Sequence, residues 1–135
     1  AIPALIEESR SAIGRGCRLV IFPEGTRRAA LAAPAYRQGI VRMYEALEVP
    51  VVPVALNSGL FWGRNSPIIW PGTAEARFLP AIEPGLPVEI FSQRLAQAIE
   101  GETEALTLQA IEKGLGRPLG PHLRQSLEAR RNSAT

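Results

Sequence analysis

The chain has 135 residues, 46% of them hydrophobic, and a formal net charge of +2, which suits one domain with a real core rather than two. Its basic residues are fourteen Arg and Lys113, its acids are all Glu, and His122 is the only histidine. With no Asp and the single Cys17, the inventory excludes a Ser-His-Asp triad, a two-histidine or cysteine metal centre, an Asp-rich magnesium site and an internal disulfide.

Residues 2–14, IPALIEESRSAIG, set Ile2, Leu5, Ile6, Ser9, Ala12 and Ile13 on one helical face, and Gly14 and Gly16 end that helix. CRLVIF, residues 17–22, reads as a short strand buried on both faces, stopped by Pro23. Residues 24–36 are loop-like and close at Pro34. Helical spacing returns at Ile40, Met43, Tyr44 and Leu47. PVVPVAL, residues 50–56, is a second β-branched run in which Pro53 implies a bulge or an edge, and NSG breaks it. AEARFLP alternates as a third strand, and EPGLP puts Pro87 where a helix begins. Val88, Phe91, Leu95, Ala98 and Ile99 form that helix's stripe, and a further short helix is expected over 103–113, ending at Gly114.

Alternation of helix and strand predicts an α/β fold with a partial, largely parallel sheet flanked by helices. Residues 1–112 form its body. Residues 113–135, with five basic residues against Glu128 alone, are expected as a basic tail, loosely ordered or a short helix. No apolar run is long enough to span a bilayer, and no signal peptide is evident. Ala1 in first place fits either loss of an initiator Met or a chain cut from something longer.

Chemistry concentrates in LVIFPEGTRR, residues 19–28. In open α/β sheets ligands sit beyond the carboxyl ends of strands, and this loop and NSG both lie there. Gly25 permits close backbone approach, Thr26 offers a hydroxyl, and Arg27 offers a fork of donors suited to phosphate or carboxylate. Arg37 adds a second positive group, and Glu24 is placed to orient the Arg27 guanidinium. Two readings fit this block on physics alone: an anion site, or a Glu–Arg pair closing a surface loop and worth ~0–1 kcal/mol.

FPEGTRR resembles the third signature block of the glycerolipid acyltransferases, the family of 1-acylglycerol-3-phosphate acyltransferases. VVPVALNSG resembles their fourth block, and AYRQGIVRMYEALEVP resembles the element between. The likeness covers roughly residues 1–112. It implies acyl transfer from acyl-CoA or acyl carrier protein to lysophosphatidic acid in phospholipid biosynthesis. It implies phosphate binding at Glu24, Gly25, Thr26 and Arg27, with Arg37 added here. Val52, Pro53 and Val54 are expected to shape the site or meet the acyl donor, or simply to be a core strand. A full-length protein of this kind is expected at the cytoplasmic face of a bacterial inner membrane, with the membrane surface as a partner.

One departure is decisive. The family's H-x-x-x-x-D block lies upstream of E-G-T-R, yet residues 1–23 hold neither His nor Asp. The second block, with its further Arg, is absent too. His122 follows the fourth block with no Asp to partner it, and is expected as an exposed tail residue. The chain therefore reads as the C-terminal portion of an acyltransferase, inactive alone, with no catalytic residue assigned and no metal or cofactor expected. Alternatives are a non-catalytic lipid- or phosphate-binding remnant, or an unrelated α/β binder of a phosphorylated metabolite. Lesser signals are GLFWG, residues 59–63, which suits a membrane interface, an acyl path or the core, and the arginines of the tail. Nucleic-acid binding is not expected, because Glu dilutes the basic residues and no aromatic platform accompanies them. A sheet lacking neighbours for its apolar strands is expected to leave an edge and an apolar face uncovered.

Overall fold

A computed structural model describes residues 1–135. It contains four helices and two short strands: α1 (Ile2–Gly14), α2 (Gln38–Leu47), β1 (Val54–Leu56), β2 (Ala76–Phe78), α3 (Val88–Lys113) and α4 (Pro121–Ser133). Helix α1 stops where the glycines require, with Gly16 at φ +82° donating its amide to Ile13 O at 2.8 Å. Helix α2 turns Met43 and Tyr44 inward and ends at Glu48, which takes a left-handed conformation at φ 51°.

The sheet is the main correction. Strands β1 and β2 pair antiparallel, with Val54 opposite Phe78, Ala55 opposite Arg77 and Leu56 opposite Ala76. An isolated antiparallel bridge between Val51 and Ile82 extends the pairing. The largely parallel sheet expected from the sequence is not formed. Residues 17–22 are not a strand: no amide of residues 18–22 donates a backbone hydrogen bond, and Val20 and Phe22 are 83% and 69% exposed. A strand needs a hydrogen-bonding neighbour, and a run apolar on both faces needs a layer on each. Within this chain that run finds neither, and β1 is paired on one side only.

Pro53 is buried just ahead of the β1 ladder, where its missing N–H costs nothing, and its carbonyl accepts from Leu79 N at 2.9 Å. The helix expected to end near Ile99 instead runs unbroken through Gly101 to Lys113, where Gly114 at φ +94° stops it. A single glycine weakens a helix by about 1 kcal/mol without ending it. Its inner face supplies the reason to continue, because Leu106 and Thr107 are buried as deeply as Phe91 and Leu95. Residues 121–133 are helical, the second of the two forms expected for the tail, and Leu123 packs with Leu60 and Phe61.

The other apolar cluster joins Tyr44, Ile82, Phe91 and Leu95. Tyr44 and Phe91 stack with ring centroids 3.7 Å apart and planes 3° from parallel. The Tyr44 hydroxyl donates to Glu83 O at 2.6 Å and accepts from Leu86 N at 3.0 Å, so one ring pins the turn leading into α3. Asn57, read from the sequence only as a strand breaker, is buried. Its Oδ1 accepts from Glu75 N at 2.7 Å and its Nδ2 donates to Leu106 O at 3.5 Å, tying the end of β1 to the start of β2 and to α3.

Candidate functional site

The Glu24–Arg27 loop is held by hydrogen bonds rather than by a strand. Gly25 N donates to Phe22 O at 2.9 Å, a tight turn, with Gly25 in the left-handed region at φ +68°. Arg37 N then donates to Pro23 O at 2.9 Å, and Arg37 Nε donates to Glu24 O at 3.2 Å. The start of α2 is thereby fastened across the loop, and two of the expected site residues, Gly25 and Arg37, meet. A Cβ on Gly25 would stand 2.7 Å from Arg37 Nε and 2.9 Å from its Cδ.

Glu24 does not orient Arg27, as the sequence suggested. Its Oε1 accepts from Ala35 N at 3.3 Å and lies 4.0 Å from Arg28 Nε, at the limit of an ion pair. The physical reason is the turn at Gly25, which leaves Arg27 free of any ion pair and places its guanidinium 4.9 Å from the centre of the Trp62 ring. That contact holds the fork against an indole face and leaves its hydrogen-bond donors unused. Thr26 is exposed and makes no hydrogen bond to another residue. The loop therefore presents an exposed hydroxyl, an unpaired guanidinium and a second guanidinium bound only through its Nε, a donor set suited to a phosphate.

Tyr36, preceding Arg37, donates its hydroxyl to Glu100 Oε1 at 2.7 Å. Burial first, then the Glu100 hydrogen bond and charge, push its phenol well above the ordinary tyrosine range. It is thus a fixed donor joining the loop to α3. Sequence reading missed this contact, since the partners are 64 residues apart and no local pattern links them. An open cleft of about 320 Å³ between α2 and α3 continues from Arg37 past Ile40, Val41 and Val88 to Phe91 and Leu95.

The fourth-block residues sit on β1 and just before it: Val52 is exposed, Pro53 buried and Val54 half-buried. No hydrogen bond or ion pair joins them to the Glu24–Arg27 loop. The nearer link is Gly59, where an added Cβ would lie 4.0 Å from Arg28 O. His122 is exposed in the first turn of α4.

Residues 3–57, which take in the third block and the fourth as far as Asn57, match the family model described as Acyltransferase. Over those residues, less than half of the chain, the sequence is similar to the acyltransferase family. Two curated relatives agree. The chain is 27% identical over 84 residues to a 1-acyl-sn-glycerol-3-phosphate acyltransferase of Cocos nucifera, covering 62% of this chain and 27% of that protein. It is 28% identical over 82 residues to a protein of the same name from Pseudomonas aeruginosa, covering 61% of this chain and 32% of that one. The matches thus span about a third or less of these relatives' length. No solved structure matches the chain.

Within this matched segment the geometry makes a direct prediction for Gly25. In Gly25→Ala the Cβ evicts Arg37 from its place against the loop and strains a left-handed residue, costing about 1–2 kcal/mol. Urea denaturation of Gly25→Ala, Arg37→Ala and the double variant checks it. The penalty at Gly25 is expected to shrink, but not vanish, once Arg37 is already short.

Proposed function

We propose that the chain is the acceptor-phosphate-binding part of a 1-acyl-sn-glycerol-3-phosphate acyltransferase. In that reading the whole protein transfers an acyl group from acyl-CoA or acyl carrier protein to lysophosphatidic acid, a step of phospholipid biosynthesis. The carrying observation is the unpaired Arg27 beside the Gly25 turn, with Arg37 fastened across the same loop at 3.2 Å. Glu24 has a structural role in the loop, Thr26 supplies a hydroxyl, and Arg27 and Arg37 grip the phosphate. Val52, Pro53 and Val54 shape the neighbouring wall or meet the donor. The substrate is presented at a membrane surface, at the cytoplasmic face of the inner membrane for a bacterial protein. No helix here is itself long and apolar enough to cross a membrane.

A second reading has its own support. The chain has no Asp, and its only histidine is exposed on α4, so on its own it is a binding module without turnover. In this reading residues 1–112 are the module and residues 113–135 a basic appendage, whose helix α4 packs back on it through Leu123.

Calorimetric titration with glycerol 3-phosphate, and with lysophosphatidate below its micellar concentration, tests the binding claim. A charge-assisted contact is worth about 1.5–3 kcal/mol, so Arg27→Ala is expected to weaken both ligands by roughly 10- to 150-fold. Absence of saturable binding by the folded chain, or equal binding by Arg27→Ala, sinks the proposal.

A further inference from the structure

The loop that carries Trp62 to Trp70 has a construction the phosphate site does not require. At its base Leu60 and Phe61 are buried, Trp70 N donates to Phe61 O at 2.8 Å, and Arg117 Nη1 donates to Leu60 O at 2.9 Å. Within it three side-chain hydrogen bonds close the turn. Trp62 Nε1 donates to Ser66 O at 3.1 Å, and Ser66 Oγ meets both Ile68 N and Ile68 O at 3.2 Å. Three large apolar side chains face outward, Trp62, Ile68 and Ile69 at 49%, 51% and 67% exposed, beside exposed Arg64 and Asn65. Arg64 is the only charged residue from 57 to 74. Two more cations flank the loop, Arg27 over the Trp62 ring and Arg117 at 5.6 Å over the Trp70 ring.

We infer that this loop docks the protein on an anionic lipid bilayer, with Ile68 and Ile69 entering the acyl boundary and Trp62 and Trp70 at headgroup depth. At Ile68 the backbone polar groups are closed internally, its N–H and C=O both meeting Ser66 Oγ, which lowers the cost of leaving water there. Indoles favour the bilayer interface, and guanidiniums beside them meet lipid phosphates. With Arg64 in the loop, Arg27 and Arg117 beside it and no carboxylate from 57 to 74, charge complementarity selects an anionic surface over a second copy of this chain. The inference deepens the reading above, since Arg27 belongs to both loop and phosphate site and would open that site toward the lipid.

Trp62 and Trp70 are the only tryptophans, so intrinsic emission reports on this loop alone. Vesicles of phosphatidylcholine with phosphatidylglycerol, and no lysophosphatidate, are the probe. The intact chain is expected to show a blue-shifted emission that brominated acyl chains quench and that weakens as salt rises. Ile68→Ser with Ile69→Ser, and separately Arg64→Glu, should each weaken vesicle binding by about tenfold. Arg131→Glu, at the exposed end of α4, should change it little. Three results overturn the inference: no binding, co-sedimentation without an emission change, or a blue shift that needs only higher protein concentration. If glycerol 3-phosphate still binds when vesicles do not, only the docking loop is lost. The converse removes only the phosphate site.

Discussion

Given lysophosphatidate and labelled acyl-CoA, the 135-residue chain is expected to form no diacyl product above a Glu24→Ala/Arg27→Ala control. Acyl transfer to a hydroxyl needs a group to take its proton, and a positioned base contributes roughly 10²–10⁴-fold in rate. The side chains around the Glu24–Arg27 loop are unsuited to that task. Glu24 accepts from Ala35 N and faces Arg28, while the Tyr36 phenol is held protonated and already donates to Glu100. Arg27 and Arg37 are cations and cannot serve as bases. His122 stands on α4 beside Leu123, which is buried against Leu60 and Phe61, and the chain has no Asp to orient an imidazole. Thiol release by the purified chain, followed with and without lysophosphatidate, is the direct measurement. Acceptor-dependent turnover above the control would overturn the assignment of this segment to binding rather than proton transfer.

Phe91→Ala should be the most damaging single truncation for stability. Phe91 is fully buried, stacks on Tyr44, and packs with Ile82 and Leu95 where α2, α3 and the end of the sheet meet. Emptying such a site costs about 3–5 kcal/mol, against total stabilities of about 5–15 kcal/mol for ordinary domains. The loss spreads beyond the cavity. Without its stacking partner, Tyr44 is free to leave the two hydrogen bonds that pin Glu83 and Leu86 ahead of α3. Denaturant unfolding followed by circular dichroism is expected to show little or no native baseline for Phe91→Ala. Phe91→Leu should recover more than half of the loss, because it refills much of the volume. A cost below about 1 kcal/mol for Phe91→Ala would mean that this cluster is not the centre of the fold.

Helices were largely legible in the amino-acid order because their signals are local. Spacing of Ile40, Met43, Tyr44 and Leu47 gave α2, and Gly14, Gly16 and Gly114 marked ends that the structure respects. The break expected between two C-terminal helices was not there, since burial of Leu106 and Thr107 outweighs one glycine. The loop chemistry was legible as residue types, Glu24 to Arg27 and Arg37. Their partners were not, because Arg28 rather than Arg27 faces Glu24 and Trp62 takes up Arg27.

By itself the sequence determined a family resemblance, the residue inventory and the kind of ligand such a loop suits. A carboxylate, a glycine, a hydroxyl and guanidiniums carry their chemistry wherever the chain puts them, and a missing Asp is missing in any fold. Tertiary structure alone decided what LVIF becomes. Its pattern promised a central strand, but strand formation is a relation between segments, satisfied only when another backbone offers donors and acceptors alongside. Here β1 took β2 as its antiparallel partner, and residues 19–22 run exposed into the Gly25 turn. The Glu24–Arg27 loop is therefore held by Pro23, Glu24 and Arg37, through two hydrogen bonds and one left-handed glycine, rather than by the sheet edge its sequence anticipates.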